Sequence, residues 1–475
     1  MKYHFKIMSF IGIIMCLFSC KEVSSEKEKE SSALSVTKAT KIDSVCQALL
    51  SKGNTVGFSI AIAHEGNILF SKGYGLANID SRKPATENTI YAIASISKFI
   101  TAVTTMKLLE DGKIDLADKV VDYLLDFPRQ EGMEDITIEH LLRHQSGLVD
   151  HEDWFDSLYI EEGRVFERHE FFDFIDRPLF FEPGSSYSYS NSGYATLSII
   201  LEQISNQSFQ DLIIEKIGKP LELNSLGQWP LNWNKENASM SYELTENGVD
   251  TSFHMMTKSM KGDGGLSASA ADLVRLASSL AYGEYLKEAS LDKIMSPTKI
   301  GEVEIDYGLG VKMGTLSDQE TWGHSGGYKG TGWAIVSHYP ESGFTFAAVI
   351  NTNYSPEEAW TIRHLIMPIV LGIDRPVYQK QTIENPEKYI GKYTAINRWG
   401  KQQPSVRTIS FENGELVRDD PHTEHPGSTL YPIGENQFSW NPYPFDEFKF
   451  HVVNGEVVAV SEYMDGFFAM VRLKE

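Results

Sequence analysis

Cysteine is scarce in this chain, cations are outnumbered, and long apolar runs are all but missing. Only Cys16, Cys20 and Cys46 occur in 475 residues, which excludes a disulfide-stapled scaffold. Lys and Arg total 43 against 65 Asp and Glu, a net charge of −22. A surface this acidic repels phosphate backbones, so nucleic acid is not an expected partner. The segment from Gly323 to Trp333 is glycine-rich but lacks Gly-Lys-Ser/Thr, so no phosphate cradle is expected. His140 and His144 stand four apart, near His151 and Asp153, but without the Glu of His-Glu-x-x-His. No metal and no other cofactor is therefore expected. Hydrophobic residues still make up 41%, enough to bury a core and to exclude a mainly disordered chain.

The one long apolar run lies at the N-terminus, from Met8 to Phe18, behind Lys2 and Lys6. It is too short to span a bilayer, which takes about 20 residues, but it suits the apolar region of a signal peptide. Leu17-Phe18-Ser19-Cys20 resembles a bacterial lipobox. Residues 1–20 then read as a lipoprotein signal, with Cys20 acylated and the chain anchored by lipid to a membrane of the bacterial envelope. The anchored domain would face the periplasm or the cell surface. Residues 21–41, rich in Lys, Glu and Ser, read as a solvated tether. Cys46, in a stretch with helical spacing, reads as a buried small hydrophobe rather than a nucleophile.

Val56 to Ala63 and Ile68 to Tyr74 are strand-like and joined by Glu65-Gly66-Asn67, a hairpin signal. From Ser95 the spacing turns helical, and Gly112 is placed to end that helix. The stretch from about 96 to 290 reads as mostly helices and loops. Strands return at Trp333 to Tyr339 and Phe344 to Asn351. An early and a late hairpin thus bracket a helical insert, the pattern of an α+β domain over 42–375 whose sheet is assembled from both ends. Beyond residue 376, Asn413-Gly414, Asn454-Gly455 and Asp465-Gly466 separate short alternating stretches, which predicts a small all-β domain over 376–475.

Ser95-Ile96-Ser97-Lys98 places a hydroxyl and an amine three residues apart, on one face of a helix. Four other Ser-x-x-Lys matches start at Ser24, Ser35, Ser290 and Ser296, so the spacing alone does not identify a site. The bland reading of Ser95 is a helix N-cap beside a surface lysine. Two later elements shift the balance: Tyr189-Ser190-Asn191, and Gly323-His324-Ser325-Gly326-Gly327 just before the Trp333 strand.

Ser-x-x-Lys, Tyr-x-Asn and His-x-Gly in that order resemble the class C β-lactamase and penicillin-binding-protein-like serine hydrolase superfamily. The stretches Ile136 to Leu148 and Gly264 to Leu273 also look like family segments, and the resemblance runs from about residue 42 to 370. It implies a β-lactamase/transpeptidase-like antiparallel sheet flanked by helices, with an all-helical lobe. It also implies Ser95 as nucleophile, Lys98 as the group that takes its proton, and Tyr189 as the shuttle to the leaving group and then the activator of water. Asn191 would bond Lys98 or a substrate amide. His324, Gly326 and Gly327 would lie along the substrate, the amides of Ser95 and Gly327 forming an oxyanion hole. The C-terminal domain is similar to the barrel-like appendages of some members.

The sequence departs from the family at His324, where Lys-Thr-Gly or Lys-Ser-Gly is usual. A permanent cation suits a substrate carboxylate, whereas histidine is only partly charged near neutrality. The expected activity is therefore hydrolysis of a small ester or a D-amino-acid peptide, peptidoglycan fragments included. β-Lactamase or D-Ala-D-Ala carboxypeptidase activity is the alternative, and it would improve at acid pH as His324 gains charge. A binding or scaffold protein without turnover is the reading from another class.

Overall fold

The structure, a computed structural model, describes residues 34–152, 154, 167–229, 236–251, 261–283, 285–316, 319–328, 331–353, 359–375, 382–395, 405–419, 427–439, 447–464 and 467–475. Cys20, the signal segment, Asp153 and Phe155 lie outside them.

Helix α1 (Val36–Ser51) begins within the stretch expected as a tether, capped by the Ser35 side chain. It leads into the hairpin β1 (Gly57–His64) and β2 (Asn67–Asn78). The turn between them needs positive φ at Glu65 and Gly66, 47° and 82°, the conformation of a tight hairpin turn. Helix α2 (Ile96–Glu110) opens the helical part, which also holds α3 (Asn191–Ser205) and α4 (Ala270–Tyr282). Four strands of the main sheet follow: β3 (Lys312–Leu316), β4 (Gln319–Tyr328), β5 (Gly332–Tyr339) and β6 (Phe344–Ile350). Helix α5 (Ala359–Leu371) closes the domain.

The sheet order is β3-β4-β5-β6-β1-β2, with Lys83–Pro84 at the far edge. β1 pairs antiparallel with β6, Ile60 opposite Ala348, so the two ends of the sequence meet in mid-sheet as the bracketing hairpins predict. Both faces of that central pair are covered, hence the nearly unbroken apolar run Phe58 to Ala63. On one face Phe58, Ile60 and Ile62 pack with Ile42 and Cys46 of α1 and Ile362 and Ile366 of α5. On the other, Ala61, Ala63, Ala347 and Val349 meet Phe99, Val103 and the core of α3 and α4. The small residues of this second face let α2 approach the sheet closely. Eleven consecutive residues of α2, Ile96 to Met106, are buried, so it is a core helix with no solvent face over three turns.

The C-terminal strands form a closed eight-stranded antiparallel barrel. They are β7 (Gly391–Ala395), β8 (Ser405–Glu412), β9 (Glu415–Asp419), β10 (Ser428–Gly434), β11 (Gln437–Ser439), β12 (Glu447–Val453), β13 (Glu456–Met464) and β14 (Phe467–Lys474). Tyr393 opposite Lys474 closes it. Closure removes both free edges that a sheet of this size would otherwise expose. Tyr393, Ile409, Leu416, Phe438, Phe448 and Phe450 fill a core of its own, while Arg472 and Arg407 both pair with the buried Glu462, at 2.8 and 3.0 Å.

The barrel does not hang free of the first domain. Ala459 and Val471 belong to one apolar cluster with Tyr187, Tyr189, Ile300, Val303, Ile305 and Tyr307, and Lys449 pairs with Asp306. It therefore backs the segment that carries Tyr189.

Candidate active site

Ser95 stands at the mouth of α2 in a turn that is not a cap. Its φ and ψ are −64° and −8°, and its side chain makes no capping bond. Ala94, directly before it, is held at φ 43°, a conformation that costs a non-glycine residue about 1 kcal/mol or more. The surroundings impose the turn: the Ile93 amide donates to Leu266 O at 3.0 Å, and Ser97 Oγ donates to Ala94 O at 2.6 Å. The hydroxyl of Ser95 is thus left for another partner.

That partner is Lys98, one helical turn on, whose side chain is fully buried. Lys98 Nζ lies 3.2 Å from Ser95 Oγ, 2.6 Å from Asn191 Oδ1 and 2.5 Å from the Asp263 carbonyl oxygen. The last two atoms only accept, so each takes an N–H from Lys98. The remaining tetrahedral position points to Ser95. A charged Lys98 donates its third proton there, and a neutral one turns its lone pair to the Ser95 O–H, which is the arrangement of a general base.

The orientation of Asn191 is fixed from behind. Its Nδ2 donates to Glu152 Oε2 at 2.9 Å and its backbone amide to Asp150 Oδ2 at 2.6 Å. Carboxylates accept only, so Oδ1 must face Lys98. Ser190 caps α3 through the Gly193 amide at 3.0 Å, which sets Asn191 as the first residue of the helix. Tyr189, beside it, is buried and turns its ring to Lys98, with Nζ 4.8 Å from the centroid.

The third motif lies on β4, where it runs past the start of β3. A Cβ on Gly326 would sit 2.2 Å from Ile93 O and 2.8 Å from the Ser95 nitrogen. Only glycine permits that approach, which brings the strand backbone against the Ser95 turn. At Gly327 a Cβ would meet the Trp333 ring at 1.7 Å. Ser95, Lys98, Tyr189, Asn191, Gly326 and Gly327 are thus drawn to one place.

His324 differs from its expected role. It is 2% exposed, its Nδ1 meets Ser325 O at 2.5 Å, and its Nε2 is 3.3 Å from Tyr307 Oη. Burial above all, and then Lys312 beside it, whose own pKa burial lowers, push its pKa well below the usual histidine value. It is a neutral ring turned inward, not a substrate-facing cation, so a gain of activity with carboxylate substrates at acid pH is not expected.

Other expectations are corrected or refined. The helix Ile138–Leu142 ends before His144, which has φ 58°. His140 Nδ1 instead accepts the Thr137 amide at 3.2 Å, and His144 serves Ser190 and Tyr307, so the two rings do not converge as zinc ligands. Cys46 is fully buried and its thiol is pushed up to about 12 by burial, the inert state. Phe171 and Phe172 are core residues, and Trp154 stacks on Phe174 at 4.6 Å. Asp150, Glu152, Asp263, His144 and Tyr307 contribute to the site without having been singled out for it. A signal existed for His144 and Asp263, which lie in or next to the family-like segments Ile136 to Leu148 and Gly264 to Leu273. Tyr307 carried none.

Comparison with known proteins places the fold and the family. Penicillin-binding protein 4* of Bacillus subtilis (strain 168) is 27% identical over 408 residues, 80% of this chain and 87% of that protein. The octameric penicillin-binding protein homologue from Pyrococcus abyssi shares the fold with a TM-score of 0.61 at 22% identity, over 92% of this chain and 100% of that one. D-amino acid amidase from Ochrobactrum anthropi SV3, complexed with L-phenylalanine, gives 0.60 at 21% identity, over 70% of this chain and 98% of that one. The Beta-lactamase family model matches residues 42–369, and with that match the chain belongs to the Beta-lactamase family of serine hydrolases.

Proposed function

We propose that the chain hydrolyses a small ester or a D-amino-acid amide or peptide through an acyl-enzyme on Ser95. The observation that carries this reading is the three-way seat of Lys98 Nζ between Ser95 Oγ, Asn191 Oδ1 and Asp263 O. Two obligate acceptors orient the amine, so a third position is turned to the nucleophile. Lys98, as the neutral amine, takes the Ser95 proton while Oγ bonds to the substrate carbonyl carbon. The tetrahedral oxygen is stabilised by the amides of Ser95 and Gly327, at the mouth of α2 where the helix dipole also favours negative charge. Tyr189 hands its proton to the leaving alcohol or amine as the carbonyl reforms; the phenolate then takes a proton from the water that attacks the acyl carbon, and Lys98 returns its proton to Ser95 Oγ as the acid leaves.

The neutral, buried His324 removes the cation that would pair with a β-lactam or D-Ala-D-Ala carboxylate, which favours uncharged esters and amides over those substrates. The amidase likeness is in keeping with D-amino-acid derivatives. The test compares wild type with Ser95→Ala on a short-chain p-nitrophenyl ester, with a chromogenic cephalosporin in parallel. Ester turnover that falls by at least about 10³-fold in Ser95→Ala is the expected result. Undiminished turnover in Ser95→Ala would remove Ser95 as nucleophile. A cephalosporin rate above the ester rate would favour the β-lactamase reading instead.

A further inference from the structure

Four hydrogen bonds run in series along the wall of the site next to Tyr189. The Ser190 amide donates to His144 Nδ1 at 2.9 Å. His144 Nε2 lies 3.0 Å from Tyr307 Oη, and Tyr307 Oη 3.3 Å from His324 Nε2. His324 Nδ1 ends the series at Ser325 O, 2.5 Å away. His144 and Tyr307 are fully buried and His324 nearly so.

The two ends dictate the polarity of everything between them. A backbone amide only donates, so His144 Nδ1 is bare and the ring carries its proton on Nε2, which donates to Tyr307 Oη. A carbonyl only accepts, so His324 Nδ1 carries the proton and its Nε2 is bare. Tyr307 therefore accepts from His144, and its own proton has two acceptors in reach, His324 Nε2 and the Tyr194 hydroxyl, which itself donates to Leu142 O at 2.8 Å. Each link of the series can run only one way, from Ser190 to Ser325, and the two imidazoles are opposite neutral tautomers.

The ends of this series lie on the two halves of the hydrolytic machinery. Ser190 sits between Tyr189 and Asn191, and Ser325 sits between His324 and Gly326. The His144 ring also supports Tyr189 directly, with centroids 4.2 Å apart. We infer that Tyr307 is a positioning residue of this hydrolase: its hydroxyl joins His144 and His324, whose opposite tautomers the two backbone ends set, and so ties the Tyr189–Asn191 segment to the strand bearing Gly326 and Gly327. The tautomers follow from geometry alone; the effect on turnover rests on the serine-hydrolase reading.

Several groups face these rings. Lys98 comes from α2 and Lys312 from β3, Tyr187 and Tyr189 from the segment before α3, and Tyr194 from α3. Asp306, paired with Lys449 of the barrel, is next to Tyr307. Lys312 and Lys98 both oppose a charge on His324. Protonated His324 would also set two N–H donors on one phenol oxygen, so the series and the two lysines act in the same sense.

Tyr307→Phe keeps the ring in the cluster of Tyr187, Tyr189, Ile305, Ala459 and Val471 and removes only the hydroxyl. The first measurement is on the wild type: the full chain labelled with ¹⁵N-histidine, with His144 and His324 assigned by loss of their signals in His144→Gln and His324→Gln. Long-range ¹H–¹⁵N spectra should show His144 protonated at Nε2 and His324 at Nδ1, with His324 staying neutral between about pH 8 and 5.5. The reverse tautomer at either ring, or a charged ring at neutral pH, would overturn the proposal. In Tyr307→Phe, kcat on the p-nitrophenyl ester should drop about ten-fold with KM changed by less than about three-fold, and the acid limb should rise by about one pH unit. Wild-type kcat and pH profile in a folded Tyr307→Phe would also overturn it. A wild type inert to the ester would count against the hydrolase reading and leave the spectra to decide the tautomers.

Discussion

At the scale of single residues, the site is a set of directional choices made by atoms that can only donate or only accept. Asn191 shows how far these reach. Two carboxylates take its donors, so its one oxygen faces Lys98, 93 residues away in sequence. Asn191→Asp is nearly isosteric but sets an anion against Lys98. An added carboxylate favours the ammonium, so the neutral base forms only at higher pH. The acid limb of kcat/KM against pH should move up by about one unit or more, with activity partly recovered in alkaline buffer; an unmoved limb would mean that Lys98 is not the base. The spacing of Ser95 and Lys98 was readable because a helix brings residues three apart together. Of the partners of Lys98, Asn191 was expected from the family resemblance alone and Asp263 not at all, since both reach it only through the fold.

Among the secondary-structure elements, β4 carries the third motif and was the least legible. Its sequence, Gln-Glu-Thr-Trp-Gly-His-Ser-Gly-Gly-Tyr, is rich in glycine and polar residues, which are poor strand formers. The glycines are there for closeness rather than for strand formation. Gly326→Ala should lower stability by about 2–4 kcal/mol and reduce ester hydrolysis, because backbone rather than a movable side chain blocks the new methyl. Gly314→Ala on neighbouring β3 is the control, since there a Cβ meets only Thr321 Oγ1 at 4.0 Å. Thermal denaturation of the two variants decides it, and equal midpoints would refute the close-approach argument. The strands β1, β5 and β6 and the barrel hairpins were legible for the opposite reason. Their apolar runs and Asn-Gly turns are local signals that the tertiary structure only had to accept.

For the molecule as a whole, acid sensitivity is built into both domains. Burial lowers His338 of the sheet and His451 of the barrel to about 4, and His324 well below its usual value. The unfolded chain binds protons at these rings from about pH 6.5 downward, while the folded chain does not until its own lower pKa values are reached. Between about pH 6.5 and 4 the unfolded form therefore binds more protons, and stability falls as pH falls. The loss should be on the order of 1 kcal/mol per ring per pH unit within that window. Thermal midpoints measured from pH 7.5 to 4.5 should decline steadily, and His338→Gln should flatten the slope; a midpoint constant over that range would contradict neutral burial of these rings. Since the barrel packs on Tyr187, Tyr189 and Tyr307, loosening it at acid pH should also disturb the catalytic wall.

The sequence by itself determined the sheet built from both ends, the presence of a separate β domain, and a hydroxyl and an amine on one helical face. Each of these rests on periodicity or spacing within a few residues, which local geometry converts directly into structure. Only the tertiary structure decided that His324 is neutral and turned inward, that the barrel backs the tyrosine segment, and that Tyr307 joins two histidines. Those outcomes depend on which side chains lose water together, and burial is a property of the assembled core rather than of any stretch of chain.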